Sequence, residues 1–309
     1  MRRPVFGATA TGFGAALAAV TVTCIPELAR DDSLVNGPRV LAVRADPAEA
    51  KPGAAVTFTA FAVGADGGMP NAALAWDFCT APKPLTEDNV VSNACLDSSS
   101  WIGVGSGTTT QTSMPSKACA LFGPDPPPGG FRPRDPDVTG GYYQPLRAAL
   151  AGAPVTFDLV RVRCNLANAG AAGAAAFAAA YVPNQNPQLL PLTLPDGTPL
   201  TASPTVSAST RLTLTASWGA ADAETYADFD VASQSVTPLR EAMRVSWYAT
   251  SGAFDTEATA PTASDPATRT ANNWTAPSAP GLAHLYVVLR DSRGGVDFSA
   301  YDVTITASH

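Results

Sequence analysis

Residues 56–63 read VTFTAFAV, a stretch in which apolar residues occupy every second position. Successive side chains of a β-strand point to opposite faces, so this alternation is typical of a strand with one buried face. The flanking segments 51–53 (KPG) and 65–68 (ADGG) carry residues that favour turns. A further strand is predicted at 74–78, with Trp76 facing inward. Short alternating strands between turns predict a β-sandwich.

The second half of the chain repeats this pattern. Residues 211–218 alternate threonine with apolar residues, and a later strand at 243–249 carries Trp247. Residues 291–295 (DSRGG) predict a glycine-containing hairpin turn before the last strand. We therefore predict an all-β fold with two immunoglobulin-like β-sandwich domains in tandem.

The chain between the two predicted sandwiches is irregular. The alternation is lost from about 80 to 142, which is too long for a simple loop, so we predict an insertion stapled by disulfides. Residues 170–181 are rich in alanine and predict a short helix in the linker. The predicted organisation is a signal peptide at 1–23, a tether at 24–37, a first domain at 38–168, a linker at 169–187 and a second domain at 188–309.

The N-terminal segment has the layout of a secretory signal. A basic start at 1–3 precedes an uncharged run at 5–22, whose glycines and threonines leave it too weakly apolar for a membrane span. Cys24 follows this run, and its placement resembles the bacterial lipoprotein signal, in which the cysteine becomes the lipidated first residue. Acyl chains on Cys24 would hold the protein at a bilayer. Cleavage at the alanines of 16–19 would instead release a soluble secreted protein.

Four further cysteines, Cys79, Cys95, Cys119 and Cys164, lie in the first half of the chain. An even number in an exported chain predicts two disulfides. Three pairings are possible, and the short loop between Cys79 and Cys95 favours joining these two. A four-cysteine zinc site needs pairs separated by only about two to four residues, and no such pair occurs.

Charge argues against nucleic acid as a partner. The net charge is -7, and only three of the 19 basic residues are lysines. The arginines are scattered along the chain, so no basic stripe is available to neutralise a phosphate backbone.

No residue pattern specifies a reaction. The chain has two histidines, which we interpret as a surface strand residue, His284, and a chain terminus, His309. No serine lies in a G-x-S-x-G elbow. The acidic pairs at 87–88 and 135–137 lie beside prolines and are typical of solvated turns. We predict no catalytic residue, no cofactor and no metal, although Asp291 and Asp297 offer the oxygen ligands that calcium takes.

Aromatic residues in or beside the insertion are the candidate binding surface. Trp101, Phe131, Tyr142 and Tyr143 could provide stacking area for a glycan or peptide. The alternative, which we favour, is that they anchor the irregular insertion onto the sandwich.

Three stretches of the second domain resemble bacterial immunoglobulin-like domains of the polycystic-kidney-disease repeat type: 247–252 (WYATSG), 274–281 (WTAPSAPG) and 286–295 (YVVLRDSRGG). The likeness covers roughly 184–309. The whole chain, including 38–52 (PRVLAVRADPAEAKP), is similar to bacterial surface lipoproteins that have no assigned activity.

The sequence therefore predicts a noncatalytic exported lipoprotein of the cell envelope, at the outer membrane or cell surface, that acts as a structural or interaction module. Its expected partners are the membrane, through the lipid anchor, and a protein or glycan. The alternative is a carbohydrate-binding or adhesion module that uses the aromatic residues of the insertion.

Overall fold

The computed structural model describes residues 32–68, 73–82, 91–124, 138–200, 204–262 and 265–308. Residues from Asp32 onward belong to one compact unit that is built mainly from β-strands. No helix among the described residues is both long enough and apolar enough to cross a bilayer. Two β-sandwiches follow one another along the chain, and the predicted fold class is confirmed.

The first sandwich has a three-stranded sheet in the order β1-β3-β6 and a five-stranded sheet in the order β2-β8-β7-β4-β5. Its strands are β1 (Arg39–Asp46), β2 (Glu49–Ala50), β3 (Ala55–Val63), β4 (Leu74–Cys79), β5 (Trp101–Ser106), β6 (Thr109–Ser113), β7 (Gly141–Leu150) and β8 (Thr156–Arg163).

The core of this sandwich contains the residues that the alternation selected. Phe58 on β3 packs against Trp76 and Phe78 on β4, with ring centroids 6.2 and 5.7 Å away. The indole N–H of Trp76 donates to the carbonyl of Gly107 at 2.7 Å, so burial leaves no orphan donor on this ring.

The structure decides which face of β8 is inward. The sequence predicts Val155, Phe157 and Leu159 as inward residues and leaves Val160 and Val162 as further candidates. Val155 lies before the strand and is 41% exposed, whereas Val160 and Val162 are buried in the core. Because the side-chain period of a strand is two, the whole set of odd positions faces away from the core.

The described part of the insertion carries two disulfides. Cys79 is bonded to Cys95, and Cys119 to Cys164, so the pairing favoured from loop length is present. Besides β5 and β6, its described residues form two 3-10 helices, at Asn93–Leu96 and Ser98–Ser100, and α1 at Ala118–Phe122.

The second sandwich has a three-stranded sheet in the order β10-β16-β14 and a five-stranded sheet in the order β15-β13-β17-β18-β9. Strands β11 and β12 form a separate ribbon. The elements are β9 (Thr205–Ser207), β10 (Arg211–Ser217), a 3-10 helix (Ala220–Asp222), β11 (Thr225–Asp230), β12 (Ser235–Arg240), β13 (Met243–Ala249), β14 (Ala253–Phe254), β15 (Ala258–Thr259), β16 (Arg269–Thr275), β17 (Gly281–Asp291) and β18 (Val296–Thr306).

The alanine-rich helix α2 (Ala171–Ala180) packs on this ribbon. A Cβ at Gly173 would lie 2.8 Å from the ring of Phe229 on β11, so the small residue permits close approach. Phe177 of the helix joins the same apolar cluster, together with Val138 from the chain just before β7. The ribbon, which sequence reasoning missed, thus contacts both halves of the chain.

The two sandwiches lie side by side. The outer face of β1 and β3 packs against β17 and β18 in a cluster of its own. Phe61 stacks on Phe298 with ring centroids 4.4 Å apart and meets Tyr286 edge to face. Asn186 bridges the two modules, since it donates to the carbonyl of Ala45 and accepts from the N–H of Val296.

The N-terminal segment is docked on the second sandwich. Ser33 and Val35 form backbone hydrogen bonds with Ala249 at the end of β13, and Val35 is fully buried. These residues lie in the segment 24–37 that the sequence predicts as a tether, and in the structure they are packed against β13. Val35 is apolar, so its burial against the end of β13 is favourable and holds this segment on the sandwich.

The strand directions give the molecule two distinct ends. The N-terminal end carries Asp32, Ala249 and the turn at 64–68, which follows β3. The disulfide end carries Cys79, where β4 stops, and Trp101, which pairs with Cys79 at the start of β5. Each sandwich spans the distance between these two ends.

Candidate functional sites

A buried polar junction lies between the sandwiches and the linker. Its first centre is Arg293, in the turn between β17 and β18. The guanidinium donates to Glu241 Oε1 at 2.7 Å, to Glu224 Oε2 at 2.8 Å and to the carbonyl of Val182 at 2.7 Å. This one side chain ties the β11–β12 region, the linker and the last hairpin together.

Asp291 holds the turn in which Arg293 lies. Its Oδ1 accepts the backbone N–H groups of Arg293 at 2.8 Å and Gly295 at 2.9 Å. A Cβ at Gly295 would lie 2.0 Å from Asp291 Oδ2, so this turn requires glycine there.

The calcium alternative receives no support from this arrangement. Asp297 accepts from Arg44 at 3.0 Å and from the N–H of Leu189 at 2.7 Å, so it is committed to different partners from Asp291. Among the described residues, no group of three or more acidic, histidine or cysteine side chains is arranged to hold a metal ion.

The second centre of the junction is Arg161 on β8. Its Nε donates to Glu49 Oε2 at 2.9 Å, and the same carboxylate accepts from the hydroxyl of Tyr181 and the N–H of Asn184. Burial lowers the pKa of Arg161, but Tyr143 and Glu49 raise it by more, so its pKa lies above the usual value and the guanidinium keeps its charge. Burial and Glu49 raise the pKa of Tyr181, which keeps its proton as a donor.

Two acids of the junction have raised pKa values. Burial first, and the charge of Asp291 second, raise the pKa of Glu241 from 4.5 to about 7. Burial also raises the pKa of Asp291. Such shifts are typical of catalytic acids but also of structural ion-pair networks.

The geometry identifies the junction as structural. Glu241 is only 2% exposed, and its two carboxylate oxygens accept from Arg293 and from the N–H of Glu224. Oxygens that are closed to solvent and already bonded to the protein leave no place for a substrate. The junction therefore fixes the two sandwiches to each other.

Sequence reasoning missed the junction almost entirely. Arg161 lies in the alternating run VRVR at 160–163, and a strand period of two predicts only that both arginines face away from the valines, so the sequence does not indicate that Arg161 is buried. Nothing in the sequence spacing identifies its partner, since Glu49 lies 112 residues away.

The described aromatic candidates are committed to packing. Tyr142 is 1% exposed inside the first core, so its ring packs between the sheets. Trp101 donates its indole N–H to the carbonyl of Cys95 at 2.7 Å, and the guanidinium of Arg147 covers its ring at 3.8 Å. Tyr143 lies beside Arg161, to which it is hydrogen-bonded at 3.4 Å.

The remaining sequence candidates divide into two groups. His284 is not a free surface residue, because the turn of the first sandwich covers it: a Cβ at Gly67 would lie 2.1 Å from its ring. Its Nδ1 is hydrogen-bonded to Asp302 at 2.6 Å. The others lie outside the described residues: Cys24, the acidic pairs at 87–88 and 135–137, Phe131 and His309.

A scan against protein-family models finds no match, and no curated protein sequence is significantly similar. Among solved structures, the chain resembles the fibronectin(III)-like modules of Clostridium thermocellum CbhA, with a TM-score of 0.25 and 12% identity over 87% of this chain and 97% of that chain. It also resembles the Yersinia pseudotuberculosis adhesin InvE, with a TM-score of 0.23 and 9% identity over 85% of this chain and 58% of that chain. Likenesses at these TM-scores carry no argument about function.

Proposed function

We propose that this chain is a noncatalytic interaction module of the bacterial envelope, exported, anchored through Cys24, and oriented so that its disulfide end faces away from the membrane. The observation that supports this proposal is that the N-terminal end and the disulfide end lie on opposite sides of the folded unit. Asp32, the first described residue, lies at the N-terminal end, whereas Cys79 and Cys95 lie at the other. We also propose that the second sandwich is an immunoglobulin-like domain of the polycystic-kidney-disease repeat type.

The disulfides support export. Disulfides persist in oxidising compartments such as the periplasm and the cell surface and are rare in the cytosol. The Cys119–Cys164 bond joins residues 45 positions apart. Its closure ties the insertion to β8 and supports a chain that folds outside the cytosol.

The length of the lead segment supports the orientation. Only residues 25–31 lie between the proposed lipidated Cys24 and Asp32, the first residue of the folded unit, so the two are eight positions apart. Eight extended residues reach at most about 29 Å. An anchor of this length would hold the N-terminal end close to the bilayer and leave the disulfide end as the most distant part of the molecule.

The side-by-side arrangement favours display over a spacer role. Two sandwiches stacked end to end would double the reach from the membrane, whereas two that share an apolar side face double the width instead. The Arg293 and Arg161 centres hold this arrangement. Their buried guanidinium and carboxylate groups are bonded to each other, which supports a role without catalysis.

Site-specific photo-cross-linking in intact envelopes tests the orientation. Leu96 at the disulfide end is 64% exposed, and Leu282 at the N-terminal end is 53% exposed, so the two leucines form a matched pair. A photoreactive residue at Leu96 should capture a protein or glycan partner, and one at Leu282 should not. Capture from Leu282 alone, or equally from both positions, contradicts the proposed display.

Metabolic labelling with a fatty acid tests the anchor separately. The wild-type chain should carry the label, and Cys24→Ala should not. An unlabelled wild-type chain, or equal label on the variant, contradicts lipidation and leaves the cross-linking result to be interpreted for a soluble exported protein.

A further inference from the structure

Most of the unpaired sheet edges formed by the described strands carry features that hinder pairing with another strand. β2, β9, β14 and β15 are only two or three residues long. Pro238 removes an N–H from β12, and Thr193 pairs with Thr215 on β10. The carbonyls of Leu41 and Ala45 on β1 accept from Arg290 and Asn186. Short length, proline and side-chain caps are the usual protections against unwanted strand pairing.

The edge strand β5 is protected against such pairing by a bulge. Its pairing with β4 shifts at Val104, because Asp77 pairs with Gly103 and Trp76 pairs with Gly105. A bulge of this kind twists an edge strand and disrupts its outer row of backbone groups.

β6 has none of these protections. Its five residues, TTQTS, pair with β3 in an unbroken register, and no bulge or proline interrupts them. Residues 98–116 contain no charged side chain. Threonine also favours the extended conformation.

Two hydrogen bonds at the ends of β6 determine which of its residues are bonded to β3. The N–H of Ala60 donates to the carbonyl of Thr108, and the N–H of Met114 donates to the carbonyl of Ala54. Bonded pairs alternate along an antiparallel ladder, so Thr110 and Thr112 are bonded to β3. The backbone groups of Thr109, Gln111 and Ser113 therefore point to the open side.

The side chains of this outer row are self-complementary. A second β6 strand that pairs antiparallel about Gln111 would place Gln111 opposite its own copy and Thr109 opposite Ser113. Carboxamide and hydroxyl groups both donate and accept hydrogen bonds, so each side chain can bond to the one opposite it. The three residues are exposed, and none of the five residues of β6 carries a charge that would repel the same strand of a second copy.

We propose that β6 is a pairing edge through which two copies of this chain join, antiparallel, into one continuous six-stranded sheet. The two three-stranded sheets β1-β3-β6 supply the six strands. A five-residue strand pair buries little area, so the dimer is weak in solution and gains strength where copies are concentrated on one membrane. The pairing itself does not depend on the anchor.

Residue-resolved hydrogen exchange of the full chain over a concentration series tests this edge. The N–H groups of Thr109, Gln111 and Ser113 should exchange fast in dilute solution and slowly in concentrated solution, while those of Thr110 and Thr112 stay slow in both. Rates that do not change with concentration, or an outer row that is already slow when dilute, overturn the proposal. Slowing that requires an envelope extract assigns the edge to another protein and also overturns it.

Two variants separate pairing from folding. Gln111→Pro removes an outward N–H without removing a bond to β3, so it should abolish the concentration dependence and leave the monomer folded. Gln111→Lys places like charges opposite each other and should weaken pairing roughly two- to fivefold. Thr237→Lys on β12 is the charge-matched control and should pair like the wild type. A concentration dependence that survives in both Gln111 variants overturns the proposal.

Discussion

At the scale of single residues, the dominant feature is a set of acids held in low-dielectric surroundings. Glu241 loses hydration on burial and lies near Asp291, and both effects favour its protonated form. Arg293 opposes them, since its Nε donates to Glu241 at 2.7 Å. The raised pKa shows that burial and the second carboxylate outweigh the guanidinium.

This balance predicts a pH-dependent stability. The folded state holds the Glu241 proton up to about pH 7, whereas the unfolded chain releases it near 4.5. Stability should therefore rise as the pH falls from about 8 to about 5, by on the order of 2 kcal/mol. Denaturant unfolding across this range measures the slope. Glu241→Gln should reduce the slope and leave the part that comes from Asp158, whose pKa burial raises to about 6. Glu257→Gln should keep the slope of the wild type; a slope unchanged in Glu241→Gln contradicts the assignment.

At the scale of elements, two disulfides and one tight turn join distant segments of the fold. The segment from Cys79 to Cys95 contains a 3-10 helix and is closed by a bond across 16 positions. A disulfide limits the unfolded chain more when the loop it closes is longer. The bond from Cys119 to Cys164 therefore contributes more than the first.

Removal of the disulfides should follow this order. Cys79→Ala with Cys95→Ala should lower the free energy of unfolding by about 3 kcal/mol, and Cys119→Ala with Cys164→Ala by about 4 kcal/mol. Denaturant titration measures both losses, and nonreducing peptide mapping verifies the pairing. Equal stability of all three proteins, or four free thiols in the wild type, contradicts the prediction.

A pair of glycines isolates the contact between the turn at 64–68 and the second sandwich. Gly53 and Gly67 both have positive φ angles, 78° and 81°, but only at Gly67 would a Cβ overlap another side chain, that of His284. Gly53→Ala should cost about 1 kcal/mol of backbone strain. Gly67→Ala should cost about 1–3 kcal/mol more, because the turn must move. Equal losses of thermal stability in the two variants would show that the turn is not docked.

At the scale of the whole molecule, the shared apolar face decides whether the sandwiches behave as one body. Phe61 projects from β3 away from its own core and stacks on Phe298. Each sandwich also has a separate core. An apolar interface between two independent cores couples their unfolding without being needed for either fold.

Calorimetry should therefore show one unfolding transition for the wild type and two for Phe61→Asp. The variant buries a charge in the interface, so separation of the modules becomes favourable. Leu282→Asp, which adds the same charge at an exposed position, should keep a single transition. Two transitions in the wild type contradict tight coupling.

The sequence by itself determined the strands and their inward faces wherever the alternation is strict, as in β3, because a period of two assigns each side chain to one face. It also determined the number of disulfides. In β8, apolar residues occupy both odd and even positions, such as Phe157 and Val160, so the pattern did not decide which face of the strand is inward. Packing in the folded sandwich, where β8 pairs with β7, selected the even positions.

Only the tertiary structure decided how the sandwiches meet. Phe61 and Phe298 are 237 positions apart, and Glu49 and Arg161 are 112 apart. Local periodicity reports the face of a strand but carries no information about which distant surface covers that face. Tyr142 shows the same limit: its ring is buried because two sheets close over it.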